Sequence, residues 1–359
     1  MSNLTGVEFR PLTIPASLDA DDTADFREFS RVRNLISREI TGNDDDAMTA
    51  GELLPHYQSD ADEIQHAWAV VADGAIIGGV GVGIPLEAGS RIAYWIIELL
   101  ADSHGRGIGS AGYTLVEQTA REHGRTVLEA WAQHPDAVGP RLDAPTGFGS
   151  IPEDHAARFF LRHGYALEQI NRKSALDLGA ADDTIATLLA EASAAADGYR
   201  IVQWHLPTPP EFVDRYAWMK SRMSTDAPAA DLEIDEEKWD AERVARHDTR
   251  YLDAGQTMLV TAAQQVATGE LVAFNELVHG VDATAASHQE DTLVLREHRG
   301  HRLGMLVKCA GLARWRAETP NSPRVITYNA EENRPMLDIN EAIGFVPIAY
   351  EGAWKKVLA

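Results

Sequence analysis

HGRGIG, at His104–Gly109, is the stretch that decides the fold, because it joins the apolar run Ile92–Leu100 to the amphipathic segment Tyr113–Glu122. A strand that ends in small residues and opens a helix makes a cradle for an anion. Glycine lets the backbone approach closely, and the first turn of the helix offers free N–H groups. A second turn of this kind, RGHRLG at Arg299–Gly304, follows the apolar Thr292–Leu295. We therefore expect a pyrophosphate site in each half.

The segments around the two turns repeat one order along the chain: a strand, helices, three strands, the turn, a helix, a strand, a helix and a strand. In the first half, Asp73-Gly74 separates two apolar runs and predicts a tight hairpin turn. The Ala- and Asp-rich segment 179–198 predicts a linker, with a helix at Thr184–Ala195. The order therefore predicts an α/β (α+β) protein of two domains, residues 1–178 and 199–359.

The composition argues against several classes of protein. The chain has 359 residues, and 32 Lys or Arg against 55 Asp or Glu give it a formal net charge of −23. A field of that sign repels phosphate backbones and anionic lipid, so we expect neither nucleic acid nor a membrane as a partner. No apolar run predicts a transmembrane helix or a signal peptide, and Cys309 is the only cysteine. These features are typical of a cytoplasmic protein, and no spacing of His, Cys and carboxylates predicts a metal site.

The glycines of the first turn also allow a different interpretation. Gly107, Gly109 and Gly112 satisfy the Gly-x-Gly-x-x-Gly pattern of dinucleotide-binding folds, and Glu129 follows Gly112 by 17 residues, about where such folds place a ribose-binding acid. That pattern normally follows the first strand of its domain, whereas at least three predicted strands precede it here. A nicotinamide- or flavin-dependent oxidoreductase is therefore the less favoured alternative.

Both turns resemble the acetyl-CoA pyrophosphate loop of the GNAT superfamily of acetyltransferases, Gln/Arg-x-x-Gly-x-Gly/Ala. The matching positions are His104, Gly107 and Gly109 in the first half, and Arg299, Arg302 and Gly304 in the second. The family's closing signature, Asn-x-x-Ala-x-x-x-Tyr-x-x-x-Gly-Phe/Tyr, also has counterparts in both halves. These are Glu153, Ala156, Phe160, Gly164 and Tyr165, and then Asn333, Met336, Asn340, Gly344 and Phe345. The resemblance covers nearly the whole chain.

The resemblance implies two GNAT-like domains, each a central mixed, mostly antiparallel sheet flanked by helices. It implies an N-acetyltransferase that moves an acyl group directly from acetyl-CoA, or another acyl-CoA, to a small primary amine. Two such domains in one chain are similar in layout to mycothiol synthase, although no motif singles out that activity. The alternative within the family is a non-catalytic protein that binds or senses acyl-CoA.

By the same resemblance, the acyl-CoA would lie along the end of one strand and the following turn in each half. The residues that this implies are Leu99, Leu100, Ala101, His104, Gly105, Arg106, Gly107, Ile108, Gly109 and Ser110 in the first half, and Val294, Leu295, Arg296, Arg299, Gly300, His301, Arg302, Leu303, Gly304 and Asn333 in the second. Backbone N–H groups on that strand would polarise the thioester carbonyl.

Catalysis needs a base that takes a proton from the amine. Glu98 lies inside the apolar YWIIELL, where a carboxyl group costs free energy unless it is paired or protonated. In the second half His288, Glu290 and Asp291 cluster before the apolar TLVL, and strand alternation predicts His288 and Glu290 on one face and Asp291 on the other. Members of the family often place an acidic Tyr four residues before the last glycine. Phe160 and Asn340 stand there instead, so the acid is unassigned, and we favour the second half as the active one.

Overall fold

The computed structural model describes residues 4, 6–226 and 228–359, which divide into two compact units. The first unit contains the described residues up to Ile170, together with Asp231–Glu233 and Glu351–Ala359. The second contains the described residues of 171–230 and 234–350.

The first half of the chain supplies most of the first unit. Its elements are β1 (Val7–Pro11), α1 (Ala24–Thr41), α2 (Ala50–Tyr57), β2 (Glu63–Ala72), β3 (Ala75–Pro85), β4 (Ile92–Leu99), α3 (Ile108–Glu122), β5 (Val127–His134), β6 (Arg141–Asp143), β7 (Ser150–Pro152), α4 (His155–Arg162) and β8 (Ala166–Asp177).

The remaining elements lie in the second half. They are α5 (Asp182–Ala195), β9 (Tyr199–His205), α6 (Val213–Asp226), α7 (Ala241–Asp253), β10 (Thr257–Gln265), β11 (Leu271–His279), β12 (Ser287–Val294), α8 (Leu303–Glu318), β13 (Arg324–Ala330), α9 (Arg334–Ile343) and β14 (Val346–Val357). None of the described helices is both long and apolar enough to cross a membrane.

The two units share one strand topology. In the first, β1, β2, β3 and β4 pair antiparallel in that order, and β4 then pairs with β5 in parallel. In the second, β9, β10, β11 and β12 pair antiparallel, and β12 pairs with β13 in parallel. Each unit is thus built on a mixed, mostly antiparallel sheet flanked by helices, so the predicted fold class is confirmed.

The parallel pair of each unit parts after three residues. Ile92–Tyr94 pairs with Val127–Glu129, and Ser287–Gln289 pairs with Val325–Thr327. Beyond these residues β4 and β12 continue without a partner on that edge. The openings that result are called here the first wedge, between β4 and β5, and the second wedge, between β12 and β13. Backbone groups that face a wedge are free to meet a ligand, because no ladder uses them.

Local sequence accounts for the elements that border the wedges. In α1 the buried residues Phe26, Phe29, Val32 and Ile36 recur at helical spacing and pack against the sheet, and Gly42 ends the helix in the left-handed conformation. The predicted hairpin turn is present, with positive φ at both Asp73 and Gly74.

The predicted domain boundaries differ from those of the compact units. The segment 171–178 and the predicted linker belong to the second unit, and Glu351–Ala359 belongs to the first. The reason is that β8 and β14 are strands of twelve residues, each of which contributes to both units. The predicted linker also contains α5, whose Ile185 and Ala192 are buried.

Candidate functional site

The first turn forms an open helix N-terminus. Gly105 and Gly107 both have positive φ, 73° and 83°, and α3 begins immediately afterwards at Ile108. No side chain caps the helix, and no acidic residue lies in its first turn. Its first N–H groups are therefore available to an anion, at the end where the helix dipole is positive.

The second turn repeats this backbone. Gly300 has φ of 89° and Arg302 has φ of 55°, and α8 begins at Leu303 without a side-chain cap or an acid in its first turn. Arg302 thus adopts the left-handed conformation that Gly107 adopts in the first turn. For a residue with a side chain this conformation costs about 1–2 kcal/mol. Its guanidinium Nη1 lies 3.1 Å from Glu191 Oε2.

The leading residue of each turn folds back onto the strand before it. His104 Nε2 lies 3.0 Å from the carbonyl oxygen of Leu99, and its ring stacks on His155. Arg299 Nε donates to the carbonyl oxygen of Val294 at 3.3 Å. A Cβ atom added at Gly105 or Gly300 would meet nothing within 4 Å. This empty space and the uncapped helices fit the pyrophosphate of an acyl-CoA.

Three glycines of the motifs are needed for close packing. A Cβ at Gly109 would lie 3.2 Å from the Phe159 ring, one at Gly112 would lie 3.0 Å from Val80, and one at Gly304 would lie 2.9 Å from Ile339. The contacts of Gly109 and Gly112, together with the positive φ of Gly107, explain the Gly-x-Gly-x-x-Gly pattern without a dinucleotide. The turn also follows the fourth strand of its unit, which removes the support for the dinucleotide interpretation.

At the ends of β4 and β12, some backbone N–H groups donate within the sheet, and others point away from it toward the wedges. Leu100 and Leu295 donate across the sheet, to Ile77 and Val272, at 3.0 Å each. Because successive N–H groups of a strand point to opposite edges, those of Leu99 and Val294 point toward the wedges. Leu100 and Leu295 were predicted to line the acyl-CoA, but their N–H groups are not available for it.

The N–H group of Ala101 is a further difference between the two units. Ala101 donates to the Glu39 carboxylate of α1 at 2.8 Å. Ala101 was predicted to contact the acyl-CoA, but its N–H group already donates to a carboxylate of the protein.

The other predicted acyl-CoA residues fall into three groups. Arg106, Arg296 and His301 are exposed, whereas Ile108 and Leu303 are buried and begin their helices. Ser110 Oγ lies 3.0 Å from His163 Nε2. Asn333 precedes α9 and makes no side-chain cap bond to it.

A β-bulge distinguishes β12. Asn275 pairs with Thr292 and Leu277 pairs with Gln289, so Glu290 and Asp291 together oppose the single residue Glu276. Bulges re-aim side chains and are frequent beside active sites. Because of the extra residue, side chains after the bulge lie on the opposite face from the one that regular alternation would give them.

The bulge corrects the predicted alternation. His288 pairs with Val278, two residues from Glu276, and Asp291 shares a lysine with Glu276. His288 and Asp291 therefore lie on the same face of β12, the one that α6 covers, where regular alternation had placed them apart.

The carboxylates at the bulge surround a buried lysine. Lys220 of α6 places its Nζ 2.6 Å from Asp291 Oδ2 and 3.2 Å from Glu276 Oε1. The Tyr216 hydroxyl donates a short hydrogen bond to Glu276. We call Glu276, Glu290, Asp291 and Lys220 the acid cluster. It carries more carboxylates than cations, and aromatic rings border it, because Lys220 lies over Trp239.

The protonation of the acid cluster follows from its surroundings. Burial lowers the pKa of Lys220, but Asp291 and Glu276 outweigh burial, so this pKa is raised and the lysine stays charged. Burial raises the pKa of Glu276 against the opposing field of Lys220. Glu290 has exposed surface, but neighbouring residues remove part of the water around its carboxyl group. This loss of water and the repulsion of Asp291 raise the pKa of Glu290 to about 7. A carboxyl group with such a pKa takes and releases protons near neutral pH.

The first unit has no counterpart of this cluster. By strand register, Gly81 corresponds to Glu276, and Ile96 corresponds to the bulge. Glu98 corresponds to Leu293 and faces Arg33 of α1, whose Nε lies 3.8 Å from the carboxyl group. Burial raises the pKa of Glu98 and Arg33 opposes that shift.

Sequence reasoning missed Glu276, Lys220 and Tyr216. A signal for Glu276 was present, because it lies inside the apolar LVAFNELV just as Glu98 lies inside YWIIELL. Lys220 and Tyr216 belong to an amphipathic helix, and nothing in their spacing marks them. Among the described residues, no group of three or more His, Cys, Asp and Glu side chains could hold a metal ion.

Comparison with known proteins agrees with this geometry. The model of the acetyltransferase (GNAT) family matches residues 29–139. A tandem GNAT protein from the clavulanic acid biosynthesis pathway, determined without AcCoA, is 24% identical with a TM-score of 0.76, over 98% of each chain. This chain has the tandem GNAT fold.

A second solved structure has the same fold at a greater distance. The GCN5-related N-acetyltransferase from Sphaerobacter thermophilus is 16% identical, with a TM-score of 0.62, over 98% of this chain and 95% of that one. The search of curated proteins found no match to the sequence. The family model that matches residues 29–139 supports acyl-CoA-dependent acyl transfer as the general class of activity.

Proposed function

We propose that this tandem GNAT protein is an N-acyltransferase that moves an acyl group, acetyl in the simplest case, from acyl-CoA to a small primary amine. We further propose that the second unit carries the reaction. The observation that supports this most is the bulge of β12, which presents Glu290, with a pKa of about 7, beside the second wedge. The first unit has Ile96 at the corresponding place.

In the proposed reaction the acyl donor is a substrate held by the second turn. The N-terminus of α8 would bind its pyrophosphate, and the N–H of Val294, which points into the second wedge, would polarise the thioester carbonyl. The excess of carboxylates in the acid cluster favours an acceptor that arrives as a cation. Trp239, which is only partly buried, would give the acceptor an aromatic wall.

Glu290 would act as the general base. An acceptor that arrives as an ammonium ion first loses one proton to solvent. The neutral amine nitrogen then loses a second proton to Glu290 as it forms a bond with the carbonyl carbon, and the C–S bond breaks and releases CoA, whose sulfur keeps the electron pair. Lys220 would hold Asp291 beside Glu290, and the charge of Asp291 helps to keep the Glu290 pKa near neutrality. In this scheme Asp291 and Lys220 position the base and do not touch the substrate.

For the first unit we propose binding of acyl-CoA without turnover. It retains the open turn at Gly105 and Gly107, which supports binding. It lacks the acid cluster, and Glu39 occupies the N–H of Ala101. The alternative of binding or sensing acyl-CoA without catalysis is therefore proposed for the first unit alone.

A matched pair of turn variants tests the proposal. Arg106 and His301 are exposed and occupy the same position in the two turns, so Arg106→Glu and His301→Glu each place a negative charge where a pyrophosphate would bind. Acetyl-CoA binding is measured by titration calorimetry, and transfer is measured as release of the CoA thiol with a panel of small primary amines.

We expect His301→Glu to abolish transfer and Arg106→Glu to retain it while losing a binding site. If Arg106→Glu alone abolished transfer, the first unit would be the active one. If the wild-type protein bound no acyl-CoA, or bound it and acylated no amine in the panel, the proposed transferase would be wrong.

A further inference from the structure

Lys308 is a buried ionisable group of the second unit that the proposed reaction has not used. It lies in α8 with no exposed surface, its Nζ is 3.5 Å from Met336 Sδ, and it lies over the Phe345 ring. No carboxylate in the described part of the chain forms an ion pair with it. Burial without a partner strongly destabilises an ammonium group relative to the neutral amine.

Buried acceptors without partners occur on the same side of the sheet. Gln289 is the last residue of β12 that pairs with β13, and its side-chain oxygen is buried and accepts no hydrogen bond. The side-chain oxygen of Asn340 in α9 is in the same state, while its amide donates to Asn329 at 2.7 Å. Each unsatisfied acceptor has lost the hydrogen bonds that water gives it in the unfolded chain.

The first unit shows that these positions meet at one place. Gly109 packs on Phe159, and Gly304 packs on Ile339, which aligns the two helix pairs. On this alignment and the strand register, Gln289, Lys308, Asn340 and Phe345 correspond to Trp95, Tyr113, Phe160 and Tyr165. We call each set of four the floor of its wedge.

The floor of the first wedge is a packed aromatic cluster. The Trp95 ring centroid lies 5.5 Å from that of Tyr113, 5.4 Å from that of Phe160 and 5.6 Å from that of Tyr165. The Trp95 indole N–H and the Tyr165 hydroxyl of this floor are also buried without hydrogen-bond partners, so unsatisfied polar atoms occur in both floors. The first floor has no ionisable amine, however, and the Lys308 ammonium group is therefore not required for packing, which indicates a chemical role for it.

The proposed reaction still lacks a proton donor for the departing CoA sulfur. The CoA sulfur departs as a thiolate whose ordinary pKa is about 8.5, so a proton donor assists the cleavage of the C–S bond. Phe160 and Asn340 cannot supply that proton. Gln289 pairs with Leu277, which lies against Gly311 of α8, so the floor is on the face of β12 opposite the acid cluster. Lys308 has no exposed surface, so it would reach a thioester only where the bound thioester opens the floor.

We propose that Lys308 is the proton donor to the departing CoA sulfur in the second unit. This inference rests on the proposed acyl transfer and completes it. As the C–S bond breaks, its electron pair passes to sulfur, and sulfur takes a proton from the Lys308 ammonium group to give CoA thiol and a neutral amine. The proton lost by the acceptor resides on Glu290, and solvent restores both groups before the next turnover.

The surroundings of Lys308 suit this role. Burial lowers its pKa to about 7, and the neighbouring Cys309 thiol raises it slightly. Cys309 itself is neutral at that pH, because burial raises its own pKa to about 12, against the opposing charges of Lys308 and Arg302. From α9 the group that faces Lys308 is the uncharged Met336, and from the loop after α9 it is Phe345. Lys308 is thus able to carry a proton at neutral pH and to give it up.

The test compares Lys308→Met with Tyr113→Phe, the matched change in the first floor. Methionine keeps the unbranched shape and suits a buried site, and Lys308→Gln serves as a second variant if thermal unfolding shows that Lys308→Met is destabilised. The first measurement needs no turnover: calorimetry of CoA and of a CoA analogue that lacks the sulfur. We expect wild type and Tyr113→Phe to bind CoA more tightly than the analogue, and Lys308→Met to lose about tenfold of that preference.

The second measurement is the pH dependence of transfer. A proton donor must be protonated, so wild-type kcat/KM falls as pH rises through about 7, whereas Lys308→Met is slower by about 10²–10⁴-fold and lacks this fall. If Lys308→Met kept both the sulfur preference and the fall, the assignment of Lys308 would be overturned while transfer stood. If wild type transferred nothing but preferred CoA through Lys308, the proposed function would fail and the contact would stand.

Discussion

The two units share a backbone but differ in the side chains around their wedges. Both turns place positive φ at the same two positions, 105 and 107 in one unit and 300 and 302 in the other, and both helices start uncapped. Beside the second wedge lie the acid cluster and a polar floor. Beside the first lie Gly81, Ile96 and an aromatic floor. The turn therefore identifies a place for acyl-CoA, and the sheet decides whether chemistry can follow.

Glu98 and Glu290 illustrate this difference. Glu98 is 17% exposed and faces Arg33, which stabilises its charged form. Loss of water destabilises the charged form of Glu290 most, Asp291 beside it adds to this, and Lys220 only partly offsets the two, so its pKa is raised. The pKa of both carboxyl groups is raised, but Glu98 faces a cation, whereas Glu290 has a second carboxylate beside it.

The largest expected effect is the loss of acyl transfer when Glu290, and not Glu98, is replaced. Glu290→Gln removes the proposed base and keeps the shape of the side chain, so kcat/KM for acyl transfer should fall by about 10²–10⁴-fold. The thiol-release assay measures this. A loss in Glu98→Gln with Glu290→Gln unaffected would reverse the assignment of the active unit.

The pH profile sharpens the same comparison. A base works in its deprotonated form, and the pKa of Glu290 is about 7, so wild-type kcat/KM should rise as pH increases toward that value. Residual activity in Glu290→Gln should lack this rise. An unchanged acid limb in the variant would mean that a different group titrates.

The next largest effect is on stability. Lys220→Met leaves Glu276 and Asp291 without their shared cation, and loss of one partner of a buried ion pair costs about 3–5 kcal/mol. The corresponding change in the first unit, Arg33→Met, breaks a longer contact of 3.8 Å and should cost less than half as much. Denaturant unfolding of both variants measures the difference.

A double variant provides the control for that prediction. Glu276→Gln removes one of the charges that Lys220 neutralises, so Lys220→Met should be less damaging in this background. If the two changes added without interaction, Lys220 would not stabilise the cluster through Glu276.

How far the sequence predicts this molecule depends on the range of the interactions. The turns could be predicted because glycine, a preceding apolar strand and a following helix are local features, and His104 and Arg299 occupy matching positions in the structure. The fold class and the hairpin at Asp73-Gly74 could be predicted for the same reason.

The candidate site could be predicted only in part, since its contacts join distant segments. Lys220 and Asp291 are 71 residues apart, and Glu39 reaches Ala101 across 62 residues. The bulge depends on how β12 pairs with β11, so regular alternation gave the wrong face for Asp291. No local pattern carries such information, because pairing and helix packing create it.

The smallest expected effect concerns the feature that the units share most closely. Gly107→Arg gives the first turn the residue that Arg302 supplies in the second, and because the position has φ of 83° it should cost about 1–2 kcal/mol of folding free energy. The reverse change, Arg302→Gly, should be nearly neutral. It relieves that strain, but it adds freedom to the unfolded chain, worth about 0.4–1 kcal/mol, and loses the exposed contact with Glu191. Denaturant unfolding of the pair measures the asymmetry. Equal and opposite changes would mean that the Glu191 contact and chain freedom contribute nothing, whereas a neutral Gly107→Arg would show that strain does not explain the glycine of the first turn.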